Sequence, residues 1–175
     1  MRILCYGDSN TYGFDPRSWL GGRYPADSRW PEILASKTGV DVINDGVCGR
    51  RIPKSIPATP NPILVMLGTN DLLEGYSAEN TAKSMENALI SSENVLIIAP
   101  PPFAPGDWIL DSAMIGESIL LANYYKEIAH GHNFRFLDAG AWNIPLTFDG
   151  VHFTEEGHRI LADAILQTHP DLFAF

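Results

Sequence analysis

The residues that could do chemistry in this sequence follow short apolar runs. Ser9 comes after a glycine and an aspartate, in a turn that would expose both its hydroxyl and its own N–H. A neutral hydroxyl is a weak nucleophile, so it needs a base. Among the five histidines, only His152 has an aspartate three residues before it, at Asp149. That spacing lets the carboxylate hold one ring nitrogen while the other takes the serine proton.

Two further residues could stabilise negative charge that develops on a substrate oxygen. Asn70 offers a side-chain amide, and Gly46 offers a backbone N–H that no side chain shields. Together with the N–H of Ser9 they make three hydrogen-bond donors for an oxyanion. The sequence therefore predicts a catalytic triad of Ser9, His152 and Asp149, and an oxyanion hole formed by Ser9, Gly46 and Asn70.

A sheet has to bring these residues together, and the sequence indicates five strands. Five runs are rich in Ile, Val and Leu and mostly lack polar alternation, which is typical of parallel strands that are covered on both faces. These runs are Ile3–Tyr6, Val40–Ile43, Ile63–Leu67, Val95–Ala99 and Phe134–Leu137.

Stretches with helical spacing lie between and after these runs. They are Trp30–Lys37, Ala78–Ile90, Asp111–His130 and Glu155–Gln167. Ser77 and Thr154 are suitable N-cap residues for the second and the last of them. Strand and helix alternate to the end of the chain, which predicts an α/β fold of three layers, α/β/α.

The predicted architecture is flavodoxin-like, with a five-stranded parallel sheet in the order 2-1-3-4-5 and one domain that spans residues 1–175. In such sheets ligands bind outside the carboxyl ends of the strands, near the topological switch point. The polar clusters around residues 9, 46, 70 and 149–152 follow strands, so we expect them to meet at that edge.

The same four clusters resemble, in order, the sequence blocks of the SGNH (GDSL-type) hydrolase superfamily. The matching segments are Gly7-Asp8-Ser9, Gly46 in an Asn-x-Gly-x-x-Gly segment, Gly68-x-Asn70-Asp71 and Asp149-x-x-His152. The resemblance extends from the first strand to the last helix. It implies that Ser9 is the nucleophile, that His152 is the base and that Asp149 orients it. It also implies the oxyanion donors named above, the flavodoxin-like fold and no cofactor.

Other segments resemble the arylesterase and acyltransferase branch of that superfamily. They are residues 7–13, Arg29-Trp30-Pro31, residues 66–71, Pro100-Pro101-Pro102 and His152-Phe153-Thr154. Members of this branch hydrolyse small acyl esters, among them aryl acetates and acetylated sugars, and some transfer acyl groups to alcohols or peroxide. Homo-oligomers are common in the branch. Asn10 departs from the family pattern, since it stands where the name GDSL has leucine.

Several side chains in loops that would face the site are candidates for lining the substrate pocket. Packing in the core is the ordinary role of such aromatic and apolar residues, and lining the pocket is the alternative. The candidates are Asn10, Trp19, Phe103, Trp108, Trp142 and Ile144.

Composition excludes some classes of partner. Lys and Arg number 12 against 21 Asp and Glu, which gives a formal charge of −9. Nucleic acids and anionic membranes bind basic faces, so neither is the expected partner. No apolar run approaches the length of a membrane helix, and no secretory signal is present in this chain. Two cysteines, Cys5 and Cys48, fit reduced thiols in a cytoplasmic protein.

These observations predict a serine esterase that hydrolyses small, acetyl-like esters of alcohols, aryl alcohols or sugars through an acyl-enzyme, with acyl transfer as a related activity. The expected partner is a small-molecule ester, and no metal is expected. Two alternatives remain open. A metal-dependent phosphoesterase could use the oxygen and nitrogen ligands of Asp8, Asp71, Asp149 and His152. A ligand-binding module without turnover could use the same fold.

Overall fold

A five-stranded parallel sheet forms the centre of the structure, a computed structural model that describes residues 2–18, 20–57 and 59–174. The strands are β1 (Arg2–Gly7), β2 (Asp41–Gly46), β3 (Ile63–Met66), β4 (Val95–Ala99) and β5 (Arg135–Asp138). Their order is β2-β1-β3-β4-β5, as predicted. The switch point lies at β1, which pairs with both β2 and β3.

The burial of each strand follows its place in the sheet. Every residue of β3 and β4 is buried, which suits their Val, Ile and Leu content. The edge strand β2 differs, since it alternates between exposed and half-buried residues and leaves Ile43 39% exposed. The expectation of strands covered on both faces is therefore wrong for β2, which has a neighbour on one side only.

Six α-helices are present in the described part of the chain, four of them close to their predicted bounds. They are α1 (Ser9–Tyr12), α2 (Trp30–Thr38), α3 (Thr69–Leu73), α4 (Ala78–Leu89), α5 (Ser112–His132) and α6 (Glu155–Thr168). Ser77 and Thr154 cap α4 and α6, where their side chains accept hydrogen bonds from Asn80 N and Gly157 N. None of these helices has the length and hydrophobicity that a membrane span requires.

Two cores, one on each face of the sheet, produce the predicted three layers. On one face, side chains of α4 and α5 such as Met85 and Tyr125 pack against Val65 and Ile97. On the other face, α2 and α6 pack against alternate residues of the same strands. The two short helices α1 and α3 were not predicted. They directly follow β1 and Gly68, so Ser9 and Asn70 lie in the first turns of helices at the carboxyl edge of the sheet.

Candidate active site

Ser9, His152 and Asp149 lie together at the carboxyl edge of the sheet. Ser9 Oγ is 2.9 Å from His152 Nε2, and His152 Nδ1 is 2.7 Å from Asp149 Oδ2. All three residues are buried. The hydroxyl, the imidazole and the carboxylate thus form one continuous chain of hydrogen bonds, the arrangement in which a histidine can deprotonate a serine.

The turn between β1 and α1 positions Ser9. The Asp8 side chain accepts a hydrogen bond from Asn10 N at 3.0 Å, and the Asp8 carbonyl accepts from Thr11 N and Tyr12 N. Gly13 ends the helix with φ of 87°, a conformation that glycine adopts without strain. Burial raises the pKa of Asp8 to about 6.

The Asp149 carboxylate builds the loop that carries His152. Its Oδ1 accepts hydrogen bonds from Thr147 Oγ1 at 2.8 Å and from Val151 N and His152 N, both at 2.9 Å. That leaves Oδ2 to hold the His152 ring. Burial opposes ionisation of this carboxyl, but the hydrogen bonds from the ring and N–H of His152 and from Val151 N outweigh it, so the pKa of Asp149 is lowered. Asp149 is therefore ionised and keeps the imidazole in one orientation.

Two aromatic side chains flank the His152 ring. Its centroid lies 4.8 Å from that of Phe14 and 5.1 Å from that of Trp108, with tilted and edge-on geometry. These contacts restrict rotation of the imidazole and shield it from water on both sides.

Asn70 also lies at the site. Its Nδ2 donates a hydrogen bond to Arg50 O at 3.0 Å, which orients the amide and leaves the second N–H of the same nitrogen free to donate. The backbone N–H of Ser9 has no acceptor within the described residues. Both predicted donors are therefore available to a substrate oxygen.

The expectation for Gly46 needs correction. Gly46 is still part of β2, where it pairs with Gly7, and its N–H donates to Asn44 Oδ1 at 3.0 Å. A Cβ on Gly46 would lie 2.0 Å from Tyr12 N, so this glycine lets the strand pack against α1. The Gly46 N–H is thus already used inside the protein, and the polar segment that the sequence placed after the strand belongs partly to it.

Gly49 was not predicted as an oxyanion donor, but its N–H is better placed for that role than the N–H of Gly46. It lies in the turn of residues 47–50, with φ of 76°, and lines the same cavity as Ser9 and Asn70. No acceptor for the Gly49 N–H occurs among the described residues. The available signal was the second glycine of the Asn-x-Gly-x-x-Gly segment.

A small cavity opens above Ser9. Its volume is about 150 Å³. It is lined by Ser9, Phe14, Cys48, Gly49, Asn70, Leu73, Trp108, Val151 and His152. Of the predicted pocket residues, Trp108 lines this cavity, and the residue is 53% exposed. Phe14, Cys48, Leu73 and Val151 were missed because their positions depend on loop conformation.

The other predicted pocket residues lie elsewhere. Phe103 and Ile144 are buried in the two hydrophobic cores, and Trp142 packs against the core beneath α6. Each is held there by the apolar contacts that are the ordinary role of such side chains. Asn10 is buried, and its side chain forms hydrogen bonds with the backbone of Val151 and Phe153. Trp19 lies outside the described residues.

The carboxylates considered as metal ligands form hydrogen bonds and ion pairs with the loops around them. Asp71 accepts a hydrogen bond from Ile52 N at 3.2 Å and lies 3.6 Å from the guanidinium of Arg51. Within the described ranges, no group of three or more His, Cys, Asp or Glu side chains is arranged to hold a metal ion.

Comparison with known proteins agrees with this geometry. A sequence model of the GDSL-like Lipase/Acylhydrolase family matches residues 5–160. The chain belongs to this family of SGNH hydrolases, and it is a carboxylic ester hydrolase. A search of curated protein sequences found no match.

Solved structures show the same fold. An aryl esterase from M. smegmatis is 28% identical, with a TM-score of 0.81 and coverage of 98% of this chain and 99% of that one. A carbohydrate acetylesterase from Sinorhizobium meliloti is 25% identical, with a TM-score of 0.82 and the same coverage. A lipolytic protein of the G-D-S-L family from Veillonella parvula is 23% identical, with a TM-score of 0.77 and coverage of 97% and 98%, and shares the fold.

Proposed function

We propose that this protein is a serine esterase that removes acetyl-sized acyl groups from alcohols, aryl alcohols or sugars through an acyl-enzyme. The observation that carries the proposal is the hydrogen-bonded chain from Ser9 Oγ through His152 to Asp149, with distances of 2.9 and 2.7 Å. Ser9 and His152 line a cavity of about 150 Å³, and this cavity also contains hydrogen-bond donors that no group in the described part of the chain uses.

In the first half of the reaction, Ser9 Oγ attacks the ester carbonyl carbon while His152 Nε2 takes the hydroxyl proton. The tetrahedral intermediate collapses when His152 returns that proton to the leaving alkoxide, which departs as an alcohol. Ser9 then carries the acyl group. In the second half, His152 deprotonates water or another alcohol, which attacks the acyl-enzyme and regenerates the Ser9 hydroxyl. The ionised Asp149 stabilises the imidazolium in both halves.

Three donors stabilise the oxyanion in this proposal: the N–H groups of Ser9 and Gly49 and the side-chain amide of Asn70. Gly49 takes the place that Gly46 had in the sequence prediction. The argument for the change is that Gly49 lines the cavity and its N–H is unpaired within the described residues, whereas the Gly46 N–H is held by Asn44. Donors fixed in advance require no reorganisation as charge develops.

The size and shape of the cavity support small acyl groups. Its volume of about 150 Å³ is below the ~300–1,000 Å³ of typical ligand pockets. The half-exposed indole of Trp108 at its rim offers an apolar face to an aryl or sugar leaving group. The names of the structural relatives, an aryl esterase and a carbohydrate acetylesterase, agree with this substrate class.

Ser9→Ala tests the nucleophile. Its kcat for p-nitrophenyl acetate should fall about 10⁴-fold or more, because the triad acts as a unit. Ser84→Ala, which removes an exposed hydroxyl from α4, is the matched control and should keep wild-type activity. Turnover retained by purified Ser9→Ala would contradict the assignment.

The substrate class is tested on the wild-type protein. We expect kcat/KM to be highest for acetate in a series of p-nitrophenyl esters and to fall steeply beyond butyrate, and we expect acetylated xylose to be hydrolysed. A preference for octanoate would contradict the acetyl-sized pocket. Hydrolysis that a chelator abolishes and a serine-directed phosphonate leaves intact would favour the phosphoesterase. No ester hydrolysis at all would favour the binding module.

A further inference from the structure

We propose that Asn10 is a positioning residue for catalysis, which holds the backbone of His152 at the correct distance from Ser9. This inference rests on the proposed function, since it gives a role to a residue that orients the base. It replaces the sequence prediction that Asn10 lines the substrate pocket.

The Asn10 side chain bonds to the two residues on either side of His152. Its Nδ2 donates to Val151 O at 3.1 Å, and its Oδ1 accepts from Phe153 N at 2.9 Å. Asn10 is only 3% exposed, so water does not compete for these bonds. One amide thus pairs with the chain both before and after the histidine, which fixes the position and the tilt of the His152 backbone.

These two bonds make up most of the direct hydrogen bonding between the segment of the nucleophile and the segment of the base. In the described part of the chain, three hydrogen bonds join residues 8–13 to residues 149–153. Two of them are made by Asn10. The third is the bond between Ser9 and His152, which is lost whenever Ser9 carries an acyl group. Asn10 therefore keeps the two segments in register through the stage of the reaction in which the catalytic bond is absent.

Each segment has its own internal support. The Asp8 side chain and carbonyl hold the start of α1, and the Asp149 carboxylate together with the bond from Thr147 N to His152 O at 2.7 Å holds the loop. Loss of the Asn10 amide should therefore leave both segments folded and change the distance between them. A misplacement of about 1 Å between reacting groups can lower a rate about 100-fold.

Two variants of Asn10 separate this role from a purely structural one. Asn10→Leu has a similar volume and cannot form either hydrogen bond, while Asn10→Asp keeps an acceptor for Phe153 N and loses the amide donor to Val151 O. For p-nitrophenyl acetate, we expect kcat of Asn10→Leu to fall about 10- to 100-fold, with KM within about threefold of wild type. Ionised Asn10→Asp should also lose kcat at unchanged KM, since it keeps the acceptor for Phe153 N but places an oxygen that Val151 O repels where the donor was.

Tyr24→Phe is the matched control. It removes a buried hydrogen bond from the same loop, the one that Tyr24 Oη donates to Phe153 O at 3.1 Å, without touching the Asn10 pairs. Its thermal midpoint should fall while its kcat stays within about twofold of wild type, because the bond reaches only the end of α1, through Tyr24 N and Gly13 O, and not the turn that carries Ser9. An equal loss of kcat in Tyr24→Phe would overturn the proposal.

Other results would also overturn it. They are wild-type kcat in a folded Asn10→Leu, a loss that resides in KM alone, or failure of both Asn10 variants to fold as judged by circular dichroism. If Asn10→Leu alone is unfolded, Asn10→Asp decides: reduced kcat at wild-type KM supports the proposal, and wild-type kcat overturns it. Ser9→Ala, assayed in parallel, distinguishes the two hypotheses, because activity in that variant refutes the proposed function itself.

Discussion

The two sides of Ser9 are built in different ways. On the side of the proposed base, the Asp149 carboxylate accepts four hydrogen bonds and Asn10 makes two, and Asp149, His152 and Asn10 are almost completely buried. On the oxyanion side, Cys48 and Gly49 are exposed, and their turn closes on one backbone bond, from Arg50 N to Val47 O at 3.0 Å.

The Arg50 side chain anchors this exposed turn to β1 and β2. The Arg50 guanidinium donates to Gly7 O at 3.2 Å, pairs with Asp45 Oδ1 at 2.8 Å and lies over the Tyr6 ring. The difference between the sides follows from the tasks that we propose for them. A base must hold one orientation without water, whereas oxyanion donors must leave their N–H groups open to the substrate and so depend on residues behind them.

The largest effect should come from breaking the base side at Asp149. Asp149→Asn keeps the shape of the side chain but offers an amide where the His152 ring needs an acceptor. It should lower kcat for p-nitrophenyl acetate by about 10³- to 10⁴-fold, because the imidazole adopts the wrong tautomer. Stopped-flow absorbance of p-nitrophenolate measures the rate, and circular dichroism checks the fold. A loss below tenfold would show that Asp149 does not orient the base.

A second comparison contrasts the two glycines of the oxyanion side. A Cβ on Gly46 would meet Tyr12 N at 2.0 Å and displace α1, so Gly46→Ala should lower both the thermal midpoint and kcat. The position of a Cβ on Gly49 is open, and the positive φ there costs alanine about 1–2 kcal/mol. Gly49→Ala should therefore fold with a slightly lower midpoint and keep kcat within about tenfold of wild type, since its N–H remains. Wild-type stability and kcat in Gly46→Ala would contradict the packing role of this glycine.

The smallest effect concerns the pH dependence of stability on the base side. His158 in α6 is fully buried against the rings of Tyr24 and Phe153. Burial, followed by the charge of Arg29, lowers the pKa of His158 to about 3. Below about pH 6.5, His158 binds a proton in the unfolded chain but stays neutral in the folded chain. The free energy of unfolding therefore falls with decreasing pH, by up to about 1.4 kcal/mol per pH unit.

His158→Phe removes this titration and serves as the reference. Between pH 6.5 and pH 5, urea unfolding should show that wild type loses about 1.5 kcal/mol more than the variant. Asp8 has the opposite influence, since its raised pKa of about 6 makes the folded state bind the extra proton in this range. That contribution is common to both proteins and cancels in the difference. Parallel pH dependences would show that His158 is not buried in its neutral form.

The sheet was predictable because its signal is repeated. Apolar runs with helical stretches between them leave few topologies, and the order of the strands follows. The meeting of Ser9, Asn70, Asp149 and His152 was predictable for the same reason, since the carboxyl ends of parallel strands share one edge.

The missed features depend on local pairing that periodicity does not carry. β2 continues through Asn44, Asp45 and Gly46 because these polar residues pair with Cys5, Tyr6 and Gly7, which moves the end of the strand towards Gly49. The side chain of Asn10 turns towards Val151 and Phe153 instead of the pocket, and no local pattern shows a partner about 140 positions away.

Ser9 and His152 are 143 positions apart, and the hydrogen bond between them joins α1 to the loop before α6. During synthesis, all residues from Ser9 through His152 must therefore leave the ribosome before this pair can form. Shortened products that end before the loop would lack the pair, however well their first strands assembled. If the proposed pair is catalytic, release of colour from a chromogenic ester would accordingly require chains that extend beyond His152.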